Sequence, residues 1–115
     1  MSTKPTPQPA PAKAKTTAPD PVAVDSKHYK VELENERVRV LRIKYGPHEK
    51  SKMHGHPASV AVFLNDCETR FTYPDGKTEN IKAKAGQVVY FDAFAHDPEN
   101  LSDKPFEVIG IELKA

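Results

Sequence analysis

From Tyr29 onward apolar and polar residues alternate with a period of two, in short runs separated by turn-forming residues. The runs are "YKVELEN", "VRVLRIKY", "SVAVFLN", "ETRFTY", "TENIKA", "QVVYF" and "FEVIGIEL", and the breaks are "GPHE", "ND", "PDGK", "KAG" and "SDKP". No stretch has the length and apolar stripe of a helix. Seven or eight strands at this spacing predict an all-β domain, either a sandwich or a small barrel.

Two local features refine that pattern. Within 37–45 the apolar positions change phase, from Val38 and Val40 to Leu41, Ile43 and Tyr45, which predicts a β-bulge or bend near Leu41. "YPDGK" at 73–77 places Pro-Asp-Gly between two strand-like runs and predicts a hairpin. There is no internal repeat.

The first 25 residues read differently. Six of the chain's eleven prolines fall in "MSTKPTPQPAPAKAKTTAPDPVAVD", with no aromatic residue and no apolar side chain larger than valine after Met1. Such a segment buries too little surface to offset its ordering entropy, so a disordered tail over 1–25 and one domain over 26–115 are expected. Prolines at 5, 7, 9 and 11 suit a stiff spacer better than a docking ligand for a partner domain. Lysines in the tail are followed by no apolar core of a signal peptide, and no later run approaches membrane-spanning length. A cytoplasmic protein without a membrane partner is expected.

Basic and acidic residues are equal in number over 26–115, and no basic stripe gathers them, so nucleic acid is not an expected partner. Arg37, Arg39, Arg42 and Lys44 are expected on the solvent face of a strand. Cys67 is the only cysteine. It excludes an internal disulfide and a CxxC zinc or redox site, and is expected to be a small buried apolar residue.

Candidate chemistry lies in "MHGHP", residues 53–57. On a strand, side chains at i and i+2 share a face, so His54 and His56 can aim both imidazoles at one point. A transition metal needs a third ligand at least, and His96 in "DAFAHDPEN", on a loop or short strand, is the candidate. His28 and His48 are expected to be exposed and without function. Asn100 is expected to close a turn through its side chain.

Residues from about Tyr45 to Asn100 resemble the two motifs of the cupins, small jelly-roll barrels of the double-stranded β-helix type. The first motif, Gly-x5-His-x-His-x3,4-Glu-x6-Gly, is similar to Gly46 followed after seven residues by His54-Gly55-His56. The second, Gly-x5-Pro-x-Gly-x2-His-x3-Asn, is similar to Gly86 through His96 and Asn100, one residue short. The resemblance implies a single cupin jelly-roll barrel in which His54, His56 and His96 bind a divalent transition metal: iron, manganese, nickel or zinc. The glutamate position is filled by Val60, or by Ala61 with the longer spacing, and neither can ligate.

Cupins with three-histidine sites include thiol dioxygenases, and Ser59, three residues after the second histidine, is similar to a serine found there. The resemblance thus implies a metal-dependent enzyme, dioxygenase-like or isomerase-like, acting on a small organic acid or amino-acid derivative. The alternative is a metal-free cupin that binds a small ligand. Arg70, Tyr73 and Tyr90 are candidate substrate-binding residues by strand position. A homodimer is also expected. If His54 and His56 face inward and Pro57 introduces no bulge, Ala61 and Phe63 lie on the outer face of their strand and need cover.

Overall fold

The computed structural model describes residues 18–114. Its elements in chain order are α1 (Pro21–Val24), β1 (Tyr29–Glu34), β2 (Val38–Tyr45), β3 (His54–His56), β4 (Ser59–Phe63), β5 (Cys67–Thr72), β6 (Thr78–Ala83), β7 (Val88–Phe91), β8 (Phe94–Asn100) and β9 (Phe106–Leu113). The strands form two sheets, one of five strands in the order β1-β2-β9-β4-β7 and one of four in the order β3-β8-β5-β6. All named pairs are antiparallel. From β2 onward every consecutive pair of strands except β5 and β6 sits in different sheets, which makes this a jelly roll.

The inner faces close on a core of Tyr29, Leu41, Tyr45, Ala61, Phe63, Cys67, Ala83, Phe106 and Val108. In β9 the buried positions are Phe106, Val108, Gly110 and Glu112, with Glu107, Ile109 and Ile111 facing outward. The predicted hairpin is present: β5 and β6 pair from Cys67–Ala83 to Thr72–Thr78, and Gly76 takes φ 87° in the turn, where a side chain would be strained.

Three expectations change. First, β2 runs in unbroken register with β9 from Val38 to Tyr45. The irregularity lies in its partner β1, between Val31 and Leu33. The phase change in β2 arises because both faces of this sheet are apolar: Leu41, Ile43 and Tyr45 face the core, and Val40 faces out.

Second, Arg39 and Arg42 project on opposite faces of β2. Arg42 pairs outside with Glu32 and Glu107, whereas Arg39 reaches Asp20 and the buried Glu112.

Third, residues 18–25 are part of the barrel. Asp20 caps α1 by accepting from the Val22 backbone N–H at 3.1 Å, and Pro21 occupies the first turn, where its missing N–H costs nothing. Pro21 is buried, and the Gly55 N–H donates to the Pro19 carbonyl at 2.8 Å. This strap covers the free edge of β3, a position that otherwise exposes unpaired backbone groups. The remainder of the expected tail, 1–17, lies outside the described residues.

Candidate metal centre

His54 and His56 project from the same face of β3, and His96 stands opposite His54 in the β3–β8 ladder. His96 is therefore on a strand, not a loop; Pro98, two residues on within β8, hid the strand from its sequence pattern. The three rings lie 4.8, 4.9 and 5.2 Å apart between centroids, and one nitrogen from each falls within 4.8 Å of the others. All three residues are buried.

Hydrogen bonds set which nitrogens face this point. His54 Nδ1–H donates to the Lys52 carbonyl at 2.7 Å, and His56 Nδ1–H donates to Glu112 Oε2 at 2.8 Å. Each bond leaves Nε2 with its lone pair, the tautomer a metal requires. His54 Nε2 and both nitrogens of His96 are buried without a hydrogen-bond partner. An unsatisfied buried polar group costs about 1–3 kcal/mol, and a cation shared by the three imidazoles would relieve it. The residues present thus fit a metal ion. Burial pushes His54 down to about 4, with His56 adding repulsion, and holds His96 well below the ordinary histidine range. Both stay neutral near pH 7, as ligands must.

The sequence profile of the cupin domain matches residues 41–112. The chain belongs to the cupin family. Among solved structures it is similar to a cupin domain from Bordetella pertussis, at 26% identity over 76% of this chain and 92% of that one, with a TM-score of 0.70. A predicted oxalate decarboxylase from Thermotoga maritima shares 23% identity over 76% of this chain and 79% of that one, TM-score 0.56. Oxalate decarboxylase of Bacillus subtilis, a protein with Mn(II) centres, shares 20% over 69% of this chain and 22% of that one, TM-score 0.54. At these last two identities the likeness shows the fold alone. No curated protein matches.

Of the two positions that could correspond to the first-motif glutamate, Ala61 faces the cavity and Val60 does not. The chain passes from one sheet to the other at Pro57-Ala58, and the corner inverts the parity: Ser59, Ala61 and Phe63 are buried, while Val60 and Val62 turn outward. The expectation that Ala61 and Phe63 form an outer face is overturned by the same corner. No carboxylate joins the histidines, since among the described residues the cluster that could hold an ion is His54, His56 and His96 alone.

Glu112 was not legible as a site residue. It shares parity with Phe106, Val108 and Gly110, but Ile109 and Ile111 make the opposite face equally apolar, so the pattern did not say which side was inside. Its two oxygens are engaged, one by His56 and the other by Arg39 at 2.9 Å. It orients His56 and stands outside the histidine cluster.

A second network stands behind His54. Tyr29 and Tyr45 share a 2.8 Å hydroxyl contact, and the Tyr29 ring lies edge-on to His54 at 4.7 Å. Burial raises the pKa of both phenols, so they remain protonated. His28, contrary to expectation, is buried: it stacks on Tyr45 at 4.1 Å and contacts Asp25 at 2.7 Å and Glu49 at 2.9 Å. Ser51 donates to Asp25 and lies 3.4 Å from His54 Nδ1. Burial tends to raise the Asp25 pKa, but the bonds from Ser51 and His28 outweigh it and hold the carboxylate below its ordinary value.

The remaining candidates separate cleanly. Ser59 lines a cavity of about 80 Å³ between the sheets, beside His56 and His96. Arg70 is exposed near Glu99, Tyr73 donates to Glu79 at 2.7 Å, and Tyr90 is exposed; none lines the cavity. His48 is exposed, as expected. Cys67 is buried in the core. Asn100 ties a turn by donating to the Gly46 and Lys104 carbonyls and accepting from Ser102 N–H.

Proposed function

We propose that this cupin holds one divalent transition ion, iron, manganese, nickel or zinc, through His54, His56 and His96, and binds a small molecule in the adjoining cavity as a metal-dependent enzyme. The observation that carries the reading is the convergence of three buried imidazoles, with His54 Nε2 and both His96 nitrogens buried and without a hydrogen-bond partner. When bound, such an ion would polarise a ligand oxygen, and iron or manganese would also supply redox chemistry. Three protein ligands leave further coordination positions open on an ion of this kind. Arg39 and Glu112 would hold His56 in its ligating tautomer, and Lys52 would do the same for His54. The apolar inner walls would exclude water from the bound molecule.

Metal analysis of tag-free protein tests this reading, with one equivalent of metal expected. His96→Leu fills the ring's place against Phe71 and Phe94, so it should fold and lose the metal. Retention of metal at the parent's affinity by that variant would remove His96 from the site. A metal-free ligand-binding cupin is the second reading, favoured by the absence of a carboxylate at both Val60 and Ala61.

The assembly we infer is a homodimer formed through the outer face of the five-stranded sheet. Strand register places Leu33, Val40, Ile111, Val60 and Tyr90 in one cross-strand row, with Ile109, Val62 and Val88 in the next. Leu33, Val88 and Tyr90 are each more than half exposed, at 55%, 60% and 57%. A continuous apolar row of this length favours burial against a second copy.

A further inference from the structure

We propose that the cavity beside the histidines takes a compact organic molecule with a single oxygen-bearing end and an otherwise uncharged, apolar body, such as a simple phenol, alcohol or ketone. Zwitterionic amino acids and dicarboxylates are excluded. The orientation of this ligand rests on the metal reading above; the preference for an uncharged body rests on the cavity walls alone.

Five phenyl rings, those of Phe63, Phe71, Phe91, Phe94 and Phe106, wall the space. Neither lysine nor arginine lines it. The one lining carboxylate is Glu112, whose negative charge would repel a second anion. Its partner Arg39 lies behind it, committed to Glu112 and Asp20.

The polar groups on the wall are largely spoken for as well. Tyr29 and Tyr45 bond to each other, and Thr69 Oγ1 contacts Cys67 Sγ at 2.9 Å. His56 and His96, whose rings lie 5.2 Å apart, line the cavity together with Ser59, so the ligand's polar end belongs against them.

A metal dication would satisfy one anionic or oxygen donor. A second charge on the same molecule would meet phenyl rings with no counter-ion, and desolvating an unpaired charge is among the most costly events in a protein interior. A dicarboxylate or an amino-acid derivative, the latter implied by the resemblance to thiol dioxygenases, therefore carries at least one charge with no partner on the cavity wall. Size narrows the class further. A cavity of about 80 Å³ is far smaller than pockets for drug-sized ligands, roughly 300–1,000 Å³, so a single ring is the upper bound.

The test uses the full chain loaded with cobalt(II), its metal content measured on the same sample. Phenol, butanone, oxalate and cysteine are titrated while the visible cobalt bands are followed, and each is titrated into metal-free protein by NMR. Phenol or butanone should bind at least tenfold more tightly than oxalate or cysteine, and should shift core resonances in the metal-free chain too. Ala61→Val narrows the cavity without touching a histidine, and should weaken the better neutral probe about tenfold at unchanged cobalt content. Equal or tighter binding of oxalate or cysteine would overturn the proposal, as would neutral binding indifferent to Ala61→Val. Failure to take up cobalt would instead reject the metal reading, leaving the ligand preference to be decided on the metal-free chain.

Discussion

Glu112 Oε2 accepts the Nδ1 proton of His56 at 2.8 Å, linking β9 of one sheet to β3 of the other through two buried side chains. Arg39 fixes the same carboxylate from behind. Glu112→Gln keeps the shape but removes the charge, so His56 loses its preference for the ligating tautomer. Metal affinity should fall about 10–100-fold with the fold retained. Isothermal titration with zinc or manganese checks this, and unchanged affinity would reduce Glu112 to a packing role.

The histidines also set a pH dependence. His54 has its folded pKa lowered to about 4, against an ordinary value of about 6.5. Between these values the unfolded chain binds a proton that the folded chain refuses, so stability is full above pH 6.5 and falls as the pH drops toward 4. For His54 alone the loss is about 3 kcal/mol, and His96 adds to it in the same direction. Melting temperatures of the metal-free protein from pH 7.5 to 4.5 should decline accordingly. His54→Leu should flatten the curve, and an unflattened one would show that other groups drive it.

Truncation separates the strap from the residues before it. A chain beginning at Ala18 should melt like the full chain. One beginning at Ser26 loses Asp20, Pro21, Asp25 and the bond from Gly55 to Pro19, and should lose about 2 kcal/mol or more, roughly 10 °C. Equal melting of the two truncated chains would mean that the strap adds nothing to stability.

Adjacent positions on β4 should respond oppositely to the same residue. Ala61→Glu aims a carboxylate into the cavity that His56 and His96 line. Without metal it should destabilise the fold by several kcal/mol, and manganese or iron(II) should restore much of that loss. Val60→Glu places its charge on the outer apolar row, where it should leave metal affinity unchanged and convert dimer to monomer in sedimentation. Metal rescue of Val60→Glu rather than Ala61→Glu would reverse the inward assignment.

Much of the barrel was legible because a half-buried strand writes its two faces into alternate residues. The hairpin at 73–77 and the all-β class follow from that rule and from turn chemistry. His54 and His56 were legible for the same reason: two imidazoles at i and i+2 share a face whatever the rest of the chain does. The rule fails where both faces of a strand are apolar, as at Val38–Tyr45 and Phe106–Leu113, and where a proline interrupts it, as at Pro98. It fails again at Pro57-Ala58, because a corner between sheets inverts parity without changing composition, and so Val60 and Ala61 exchanged roles.

By itself the sequence determined which residues could ligate a metal and which runs would be strands, since both depend on neighbours within a few positions. Tertiary structure decided what those residues meet. His96 faces His54 only because β3 and β8 are paired, and Glu112 reaches His56 only because β9 and β3 belong to sheets that close on one another. The strap at 18–25 is ordered by β3's free edge and by Arg39, which lie 14 or more residues away in the chain. Such contacts join residues far apart in sequence, and their energy depends on burial, which no local pattern records.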